Sequence, residues 1–203
     1  MKTLIILSLI IVIGDSLHGQ AFDQTIQAFK ESYAAEADSN FALAIRMMEE
    51  VYRDNSYELN LRLGWLNYLN HDYSKSSEYY QKSIDLLPYA FEAKLGYVLP
   101  QAAMGNWTNV LNVYEKILKA DPQNTLVNYR MGFIYYQRED YQKAFHYLEK
   151  VVNLYPFDYD SVVLFAWTNY RLGKLREAKV LFEKTLMIRP EDLSSLEGLD
   201  LIK

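Results

Sequence analysis

The stretch TLVNYRMGFIYYQREDYQKAFHYLEKVVNLYPFD, residues 125–158, decides the fold of the chain. Between residues 127 and 135, apolar side chains recur at steps of three and four, as they do on one face of a helix. The polar residues 138–140 interrupt this face, and a second apolar face runs over residues 141–152. Pro156 then ends the second helix, because proline cannot continue a helical hydrogen-bond ladder. The stretch therefore predicts two helices joined by a short turn.

The same unit recurs along the chain with a period of 34 residues. Prolines mark the end of each copy, and a large side chain recurs inside the second helix. In chain order these positions are Pro88, Pro122, Pro156 and Pro190, and Tyr80, Tyr114, Leu148 and Phe182. The copies are 57–90, 91–124, 125–158 and 159–192. A single helix pair cannot bury its apolar face alone, so the copies are expected to stack.

The ends of the chain are less regular than its centre. Residues 22–56 repeat the apolar face of a second helix but lack the proline, and their connection to the next copy is about two residues short. They predict a degenerate N-terminal hairpin. Residues 193–203 carry leucines on one side and predict a short C-terminal capping helix, which a stack of repeats needs for solubility.

The copies resemble the tetratricopeptide repeat (TPR) family, whose period and signature are known. The third copy has matching residues at the signature positions Leu-Gly, Tyr, Ala, Phe and Pro. They are Met131-Gly132, Tyr135, Ala144, Leu148 and Pro156. The resemblance implies an all-α fold, a right-handed superhelical solenoid of antiparallel helix pairs. It also implies that the first helix of each copy lines a concave side.

Local sequence signals qualify this picture at two places. Asp72, Asn106 and Asp140 stand just before second helices and are expected to be N-caps. Pro100 lies inside the first helix of the second copy, where it removes a hydrogen bond at a cost of about 3 kcal/mol. Gly96 lies four residues earlier, where its carbonyl would face the proline ring. The pair predicts a kink over residues 96–100, the alternative being a helix that bends and packs.

Residues 1–19 predict a secretory signal peptide. Lys2 supplies the positive end, an apolar run of about ten residues follows, and small residues make cleavage after Gly19 or Ala21 plausible. A membrane-spanning helix needs roughly 20 apolar residues. A buried N-terminal helix and an uncleaved anchor remain as alternatives. The expected location is therefore periplasmic or secreted, and the absence of cysteine favours a bacterial envelope.

Composition and motifs point away from catalysis and from nucleic acid. The net charge of −5 comes without a basic cluster, which disfavours nucleic acid as a partner. Neither a nucleotide-binding glycine loop nor a nucleophile elbow is present, and the histidines lie in no ligand spacing. We therefore expect a non-enzymatic protein with no cofactor, no metal and no catalytic residue.

The resemblance places the partner-binding site on the first helices. In this family five positions of each first helix line the concave side, which makes twenty in the four copies. Seven of these positions are aromatic: Trp65, Tyr68, Tyr129, Phe133, Tyr136, Trp167 and Tyr170. Large exposed rings mark interaction sites, and Trp and Tyr anchor interfaces. The alternative is that these rings pack against each other or beneath a docked first repeat. Leu61 and Trp65 stand where a carboxylate clamp of this family would need Lys and Asn, so such a clamp is not expected.

Three functions fit this surface. The leading hypothesis is a protein-interaction module or scaffold that holds a segment of a protein or peptide partner in an aromatic-lined groove. A second is an envelope scaffold that binds or guides polysaccharide, since aromatic rings also suit sugar faces. A third is a structural subunit of a larger assembly. The sequence does not identify the partner.

Overall fold

A computed structural model describes residues 22–203, which form eleven α-helices and contain no β-strand. The helices are α1 (22–37), α2 (Phe41–Glu49), α3 (Tyr57–Leu69), α4 (Tyr73–Leu86), α5 (Phe91–Ala103), α6 (Trp107–Ala120), α7 (Thr125–Gln137), α8 (Tyr141–Leu154), α9 (Tyr159–Arg171), α10 (Leu175–Ile188) and α11 (Leu193–Asp200). Each of the four 34-residue copies holds two of them. The prediction of an all-α chain built from helix pairs is confirmed.

The described residues divide into two compact units, unit 1 ending at Val110 and unit 2 running from Leu111 to Lys203, and the division passes through α6. Unit 1 has a core in which Leu59, Leu63 and Leu66 of α3 pack against Ala44 and Met48 of α2. Unit 2 has cores built from α8, α9 and α10. Their buried members are Ala144, Leu148, Val152, Val162 and Phe165, and Ala166, Ala178 and Phe182. Each unit thus buries the apolar faces that its sequence pattern defines.

Side-chain caps fix where most helices begin. Asp72 and Asp140, two of the predicted N-caps, accept hydrogen bonds from the backbone N–H groups of Lys75 and Lys143 at 3.2 Å. Five other helices have the same arrangement, with caps at Asn40, Ser56, Asn124, Asp158 and Asp192. Each cap satisfies a backbone donor that the helix itself leaves unpaired. The side-chain amide of Asn106, the third predicted N-cap, donates to Gln101 Oε1 at 3.2 Å.

The turn inside each helix pair uses one residue in the left-handed region. These residues are Ser39, His71, Gly105, Glu139 and Gly173, with φ between 57° and 76°. The last four recur at the 34-residue period of the repeat. Only Gly105 and Gly173 adopt this conformation without a steric penalty from Cβ.

Small residues let the paired helices approach closely. A Cβ atom at Gly132 of α7 would lie 2.5 Å from Leu148 Cγ of α8, and one at Gly64 of α3 would lie 2.9 Å from the Tyr80 ring of α4. The Ser76 hydroxyl also donates to the Gly64 carbonyl at 2.7 Å. The glycines therefore leave room for a large side chain of the neighbouring helix to pack against the backbone.

Helix α5 runs unbroken from Phe91 to Ala103, through residues 96–100 where the kink is expected, with Pro100 buried inside it. The carbonyl of Pro100 accepts the N–H of Met104 at 3.0 Å, so the last turn closes normally. Gly96 has a different reason to be small, because the Tyr80 ring packs against it.

The predicted signal peptide, residues 1–19, lies outside the described residues. Within residues 22–203, none of the helices combines the length and apolar character needed to cross a bilayer.

Candidate functional site

A cleft of about 1140 Å³ lies in unit 1 and is walled by helices α1, α3 and α5. Its apolar and aromatic side chains come from α1, α3 and α4 with the C-cap of α4, α5 contributes Glu92 and Gly96, and the polar lining is mostly acidic. The lining includes Phe29, Tyr33, Tyr57, Leu61, Trp65 and Leu87, together with Glu36, Glu58, Arg62 and Glu92. Ligand clefts typically combine this kind of apolar wall with a few placed polar groups.

Helix α1 buries small side chains, while most of its large ones are exposed and Phe29 packs against the core of unit 1. Ala28, Ser32 and Ala35 are buried. Phe22 and Tyr33, on the opposite face, expose 63% and 56% of their surface. Helices normally bury their large apolar residues, so this arrangement leaves an exposed aromatic face beside the cleft, on which the Tyr33 ring contacts Phe29 and the Arg62 guanidinium.

A buried polar network holds α1 against α3. The Arg62 guanidinium donates to Ser32 Oγ and forms an ion pair with Glu36, while the Tyr33 ring lies over it at 4.1 Å. Trp65 Nε1 donates to the other oxygen of Glu36 at 2.7 Å. Every strong polar bond across this contact therefore converges on Glu36 or Arg62.

Tyr80 reaches the cleft from the outer helix α4. Its ring passes between Gly64 of α3 and Gly96 of α5, and the residue is 3% exposed. Burial, with the nearby Glu92 carboxylate, raises the pKa of its hydroxyl, which therefore stays protonated. Tyr80 and Gly96 both line the cleft.

Two more carboxylates stand at the start of α3 and α5. Glu58 accepts a hydrogen bond from Ser56 Oγ at 2.8 Å, and Glu92 accepts one from Tyr57 Oη at 3.3 Å. Burial and the Glu92 charge raise the pKa of Tyr57. The ion pairs among residues 22–203 include neither Glu58 nor Glu92.

The predicted site residues of unit 1 are half-buried. Trp65 lines the cleft but is tied to α1 through Glu36, and its ring packs against Tyr68 at 5.8 Å. Tyr68 also packs against Tyr73, at 5.9 Å. Of this pair, therefore, only Trp65 lines the cleft, and it also has a structural role.

In unit 2 the predicted residues of α7 have different surroundings: one is exposed, one packs against another ring and one lines a pocket. Phe133 is 44% exposed. Tyr136 packs edge-on against Tyr141 at 5.5 Å. Tyr129 lines a smaller pocket of about 350 Å³ with Leu126, Tyr155, Asp158 and Asp160.

The last two predicted residues lie beside the C-terminal helix. Trp167 Nε1 donates to Ser194 Oγ of α11 at 2.8 Å, and its ring packs on Phe182 at 5.0 Å. Tyr170 packs against Trp167 at 5.6 Å. These two rings belong to the contact that docks α11 onto unit 2.

Sequence reasoning missed the contribution of α1 and of Arg62 to the cleft. A signal was available, since Phe22, Ile26, Phe29 and Tyr33 follow one another at steps of three and four on one helix face. No group of His, Asp or Glu within residues 22–203 is arranged to hold a metal ion.

Comparisons with known proteins agree on the fold. A family model described as anaphase-promoting complex, cyclosome, subunit 3 matches residues 103–185. A TPR repeat-containing protein of Methanocaldococcus jannaschii is 22% identical over an alignment that covers 64% of this chain and 30% of that protein. The chain thus spans about a third of the length of this relative.

Solved structures give the same result over most of the chain. A tetratricopeptide repeat protein from Parabacteroides merdae aligns with a TM-score of 0.74 at 16% identity, covering 89% of this chain and 72% of that one. MamA from Desulfovibrio magneticus aligns with a TM-score of 0.69 at 21% identity, covering 84% and 98%. The predicted resemblance to tetratricopeptide repeat proteins is confirmed at the level of the fold.

Proposed function

We propose that this chain, with its tetratricopeptide repeat fold, is a non-enzymatic interaction module that binds a segment of a partner protein in the cleft of unit 1. The proposal goes beyond the fold, because one fold hosts many functions. Its support is the site itself: an open cleft whose apolar walls continue into the exposed aromatic face of α1.

The exposed face of α1 is the observation that carries this proposal. Its members Phe22, Ile26 and Tyr33 each expose more than half of their surface while smaller residues of the same helix are buried. Covering such side chains stabilises a complex by roughly 25 cal/mol per Å² of apolar area, before the cost of association. A partner segment lying along α1 would also cover Leu61 and Leu87 in the cleft.

Replacing Leu61 by aspartate tests the proposal without touching the network around Glu36. The partner is first identified by affinity capture from the native host, then purified and titrated against the full chain. We expect L61D to weaken binding at least about tenfold, because it places a charge in an apolar contact. Val180→Asp, on the exposed outer face of α10, is the matched control and is expected to bind normally.

Equal affinity of L61D and the unsubstituted protein would overturn the proposal. The same titration with soluble glycans separates the polysaccharide alternative, which predicts glycan binding sensitive to the same substitution. A structural subunit would instead associate through surfaces that neither substitution affects.

We also propose that the chain is exported, on the strength of the pattern in residues 1–19. Both expected cleavage points lie before residue 22, so cleavage would leave the described part of α1 intact. Edman sequencing of the protein purified from its host should give an N-terminus at residue 20 or 22. Recovery of a chain that begins at Met1 in the cytoplasm would contradict export.

A further inference from the structure

The sixth position of each copy differs in a way that shapes the cleft. In the third copy this position is Arg130, whose Nη1 donates to Tyr114 Oη at 3.2 Å. In the second copy it is Gly96, and the tyrosine in register with Tyr114 is Tyr80. In unit 2 the Tyr114 hydroxyl therefore accepts a hydrogen bond from the Arg130 guanidinium. In unit 1 Gly96 has no side chain that could bond to the Tyr80 hydroxyl.

The Tyr80 hydroxyl has no hydrogen-bond partner among the described residues, although its residue is 3% exposed and lines the cleft. Among the described residues Asn128 Oδ1 is the buried side-chain polar atom that lacks a partner, so the Tyr80 hydroxyl is not sealed inside the protein but opens onto the cleft. The Tyr80 ring is wedged between Gly64 and Gly96, which fixes the position of its hydroxyl. The hydroxyl is thus held in place for a group that enters the cleft.

The negative charge of the cleft lining indicates that this group is a cation. Three carboxylates line it, from Glu36, Glu58 and Glu92, against the single guanidinium of Arg62. Arg62 is already paired with Glu36. Glu58 and Glu92 leave an uncompensated negative charge, which attracts a cation into a partly apolar cleft.

We infer that the cleft of unit 1 binds an arginine side chain of the partner segment, which donates to Tyr80 Oη and pairs with Glu92 or Glu58. This inference rests on the proposed function and names the chemistry of its ligand. Arginine fits better than lysine because its planar fork can donate to a phenol and a carboxylate at once and can stack on aromatic rings such as Tyr57.

The test compares two pools of fluorescein-labelled octapeptides. Each peptide of the first pool has a central arginine among leucine, alanine and tyrosine, and the second pool has citrulline instead, which keeps the shape and removes the charge. Fluorescence anisotropy with the full chain measures both affinities. We expect the arginine pool to bind about tenfold more tightly, and the difference to shrink at high salt.

Substitutions in the cleft locate the effect. Tyr80→Phe keeps the ring and removes the hydroxyl, and Glu92→Gln removes one carboxylate. Each should weaken the arginine pool about fivefold and leave the citrulline pool unchanged. Glu78→Gln, which removes an exposed carboxylate from α4 of the same unit, is the charge-matched control and should change neither affinity.

The outcomes separate this inference from the proposed function. Equal binding of the two pools, or an arginine pool insensitive to Y80F and E92Q, overturns the arginine site. If peptides still bind and L61D weakens both pools, the interaction module stands without it. If neither pool binds, the arginine site is overturned, and the titration of L61D against the purified partner decides the proposed function independently.

Discussion

Tyr80 of α4 occupies the space that a side chain on Gly96 of α5 would need, since a Cβ atom there would lie 2.5 Å from Tyr80 Cζ. The contact joins the outer helix of one copy to the inner helix of the next. The glycine is particular to the second copy, since the third copy has Arg130 and the fourth has Leu164 at the same position.

Gly96→Ala should therefore destabilise the protein despite the better helix propensity of alanine. Overpacking costs about 1–3 kcal/mol, against a gain of at most about 1 kcal/mol from propensity. We expect a net loss of about 1 kcal/mol in the free energy of unfolding, measured by urea titration. In a Tyr80→Leu background the ring atoms that meet Gly96 are gone, so the same alanine should become neutral or stabilising. Destabilisation in both backgrounds would contradict the explanation.

Glu139→Gly should stabilise the protein. Glu139 has φ of 62°, where Cβ meets the carbonyl oxygen, and this strain costs about 1 kcal/mol in a residue other than glycine. Relief of the strain, less the added entropy of the unfolded chain, should raise the melting temperature by about 1–3 °C.

Gly173→Ala makes the opposite change at the equivalent turn of the fourth copy, because it adds a Cβ atom to a residue in the left-handed region. Its surroundings are open within 4 Å, so only the φ of 74° opposes a Cβ atom. We expect a fall in melting temperature of about 2–4 °C. An unchanged value would show that the turn relaxes out of the left-handed region.

Glu36→Gln should loosen α1. The substitution removes the counter-ion of Arg62, whose side chain is 6% exposed, and breaking a buried pair from one side costs about 3 kcal/mol. Hydrogen exchange should speed up in α1 first, because the network bonds that helix to α3. The double variant E36Q/R62M, which leaves no unpaired charge, should recover part of the loss. Uniform exchange across unit 1 would argue against a local effect.

Asp192→Ala should weaken the docking of α11 in a pH-dependent way. Burial opposes ionisation of this carboxyl, but hydrogen bonds from Ser195 and Tyr159 outweigh burial and lower its pKa in the folded state. The ionised cap is therefore stabilising above the unfolded pKa of about 4 and is lost as pH falls through the lower folded value.

At pH 7 the D192A variant should lose about 1 kcal/mol of stability, as other N-cap deletions do. The difference between D192A and the unsubstituted protein should shrink when unfolding is repeated near pH 3. A difference independent of pH would mean that the carboxylate charge plays no part.

The sequence predicted the helices well because their determinants are local. The apolar faces and the caps at Asp72 and Asp140 each act within one copy, and the 34-residue period repeats them along the chain. The sequence links Gly96 to Pro100, four residues away, but does not reveal the packing of Gly96 against Tyr80. Tyr80 lies on another helix, and a period alone does not reveal which side chains meet.

The candidate site was predicted less completely for the same reason. The inner positions gave Trp65 and Trp167, but their hydrogen-bond partners Glu36 and Ser194 are 29 and 27 residues away. Neither partner stands at a position that the repeat pattern singles out. The unpartnered hydroxyl of Tyr80 likewise depends on packing between three helices.

Trp65 and Trp167 also make the two ends of the protein separately visible to spectroscopy. One indole is bonded to a carboxylate of α1, the other to a hydroxyl of α11. Departure of either helix would admit water to one indole and leave the other in its original surroundings. Single-tryptophan versions of the chain would therefore distinguish, by their emission, fraying that starts at the N-terminal helix from fraying that starts at the C-terminal one.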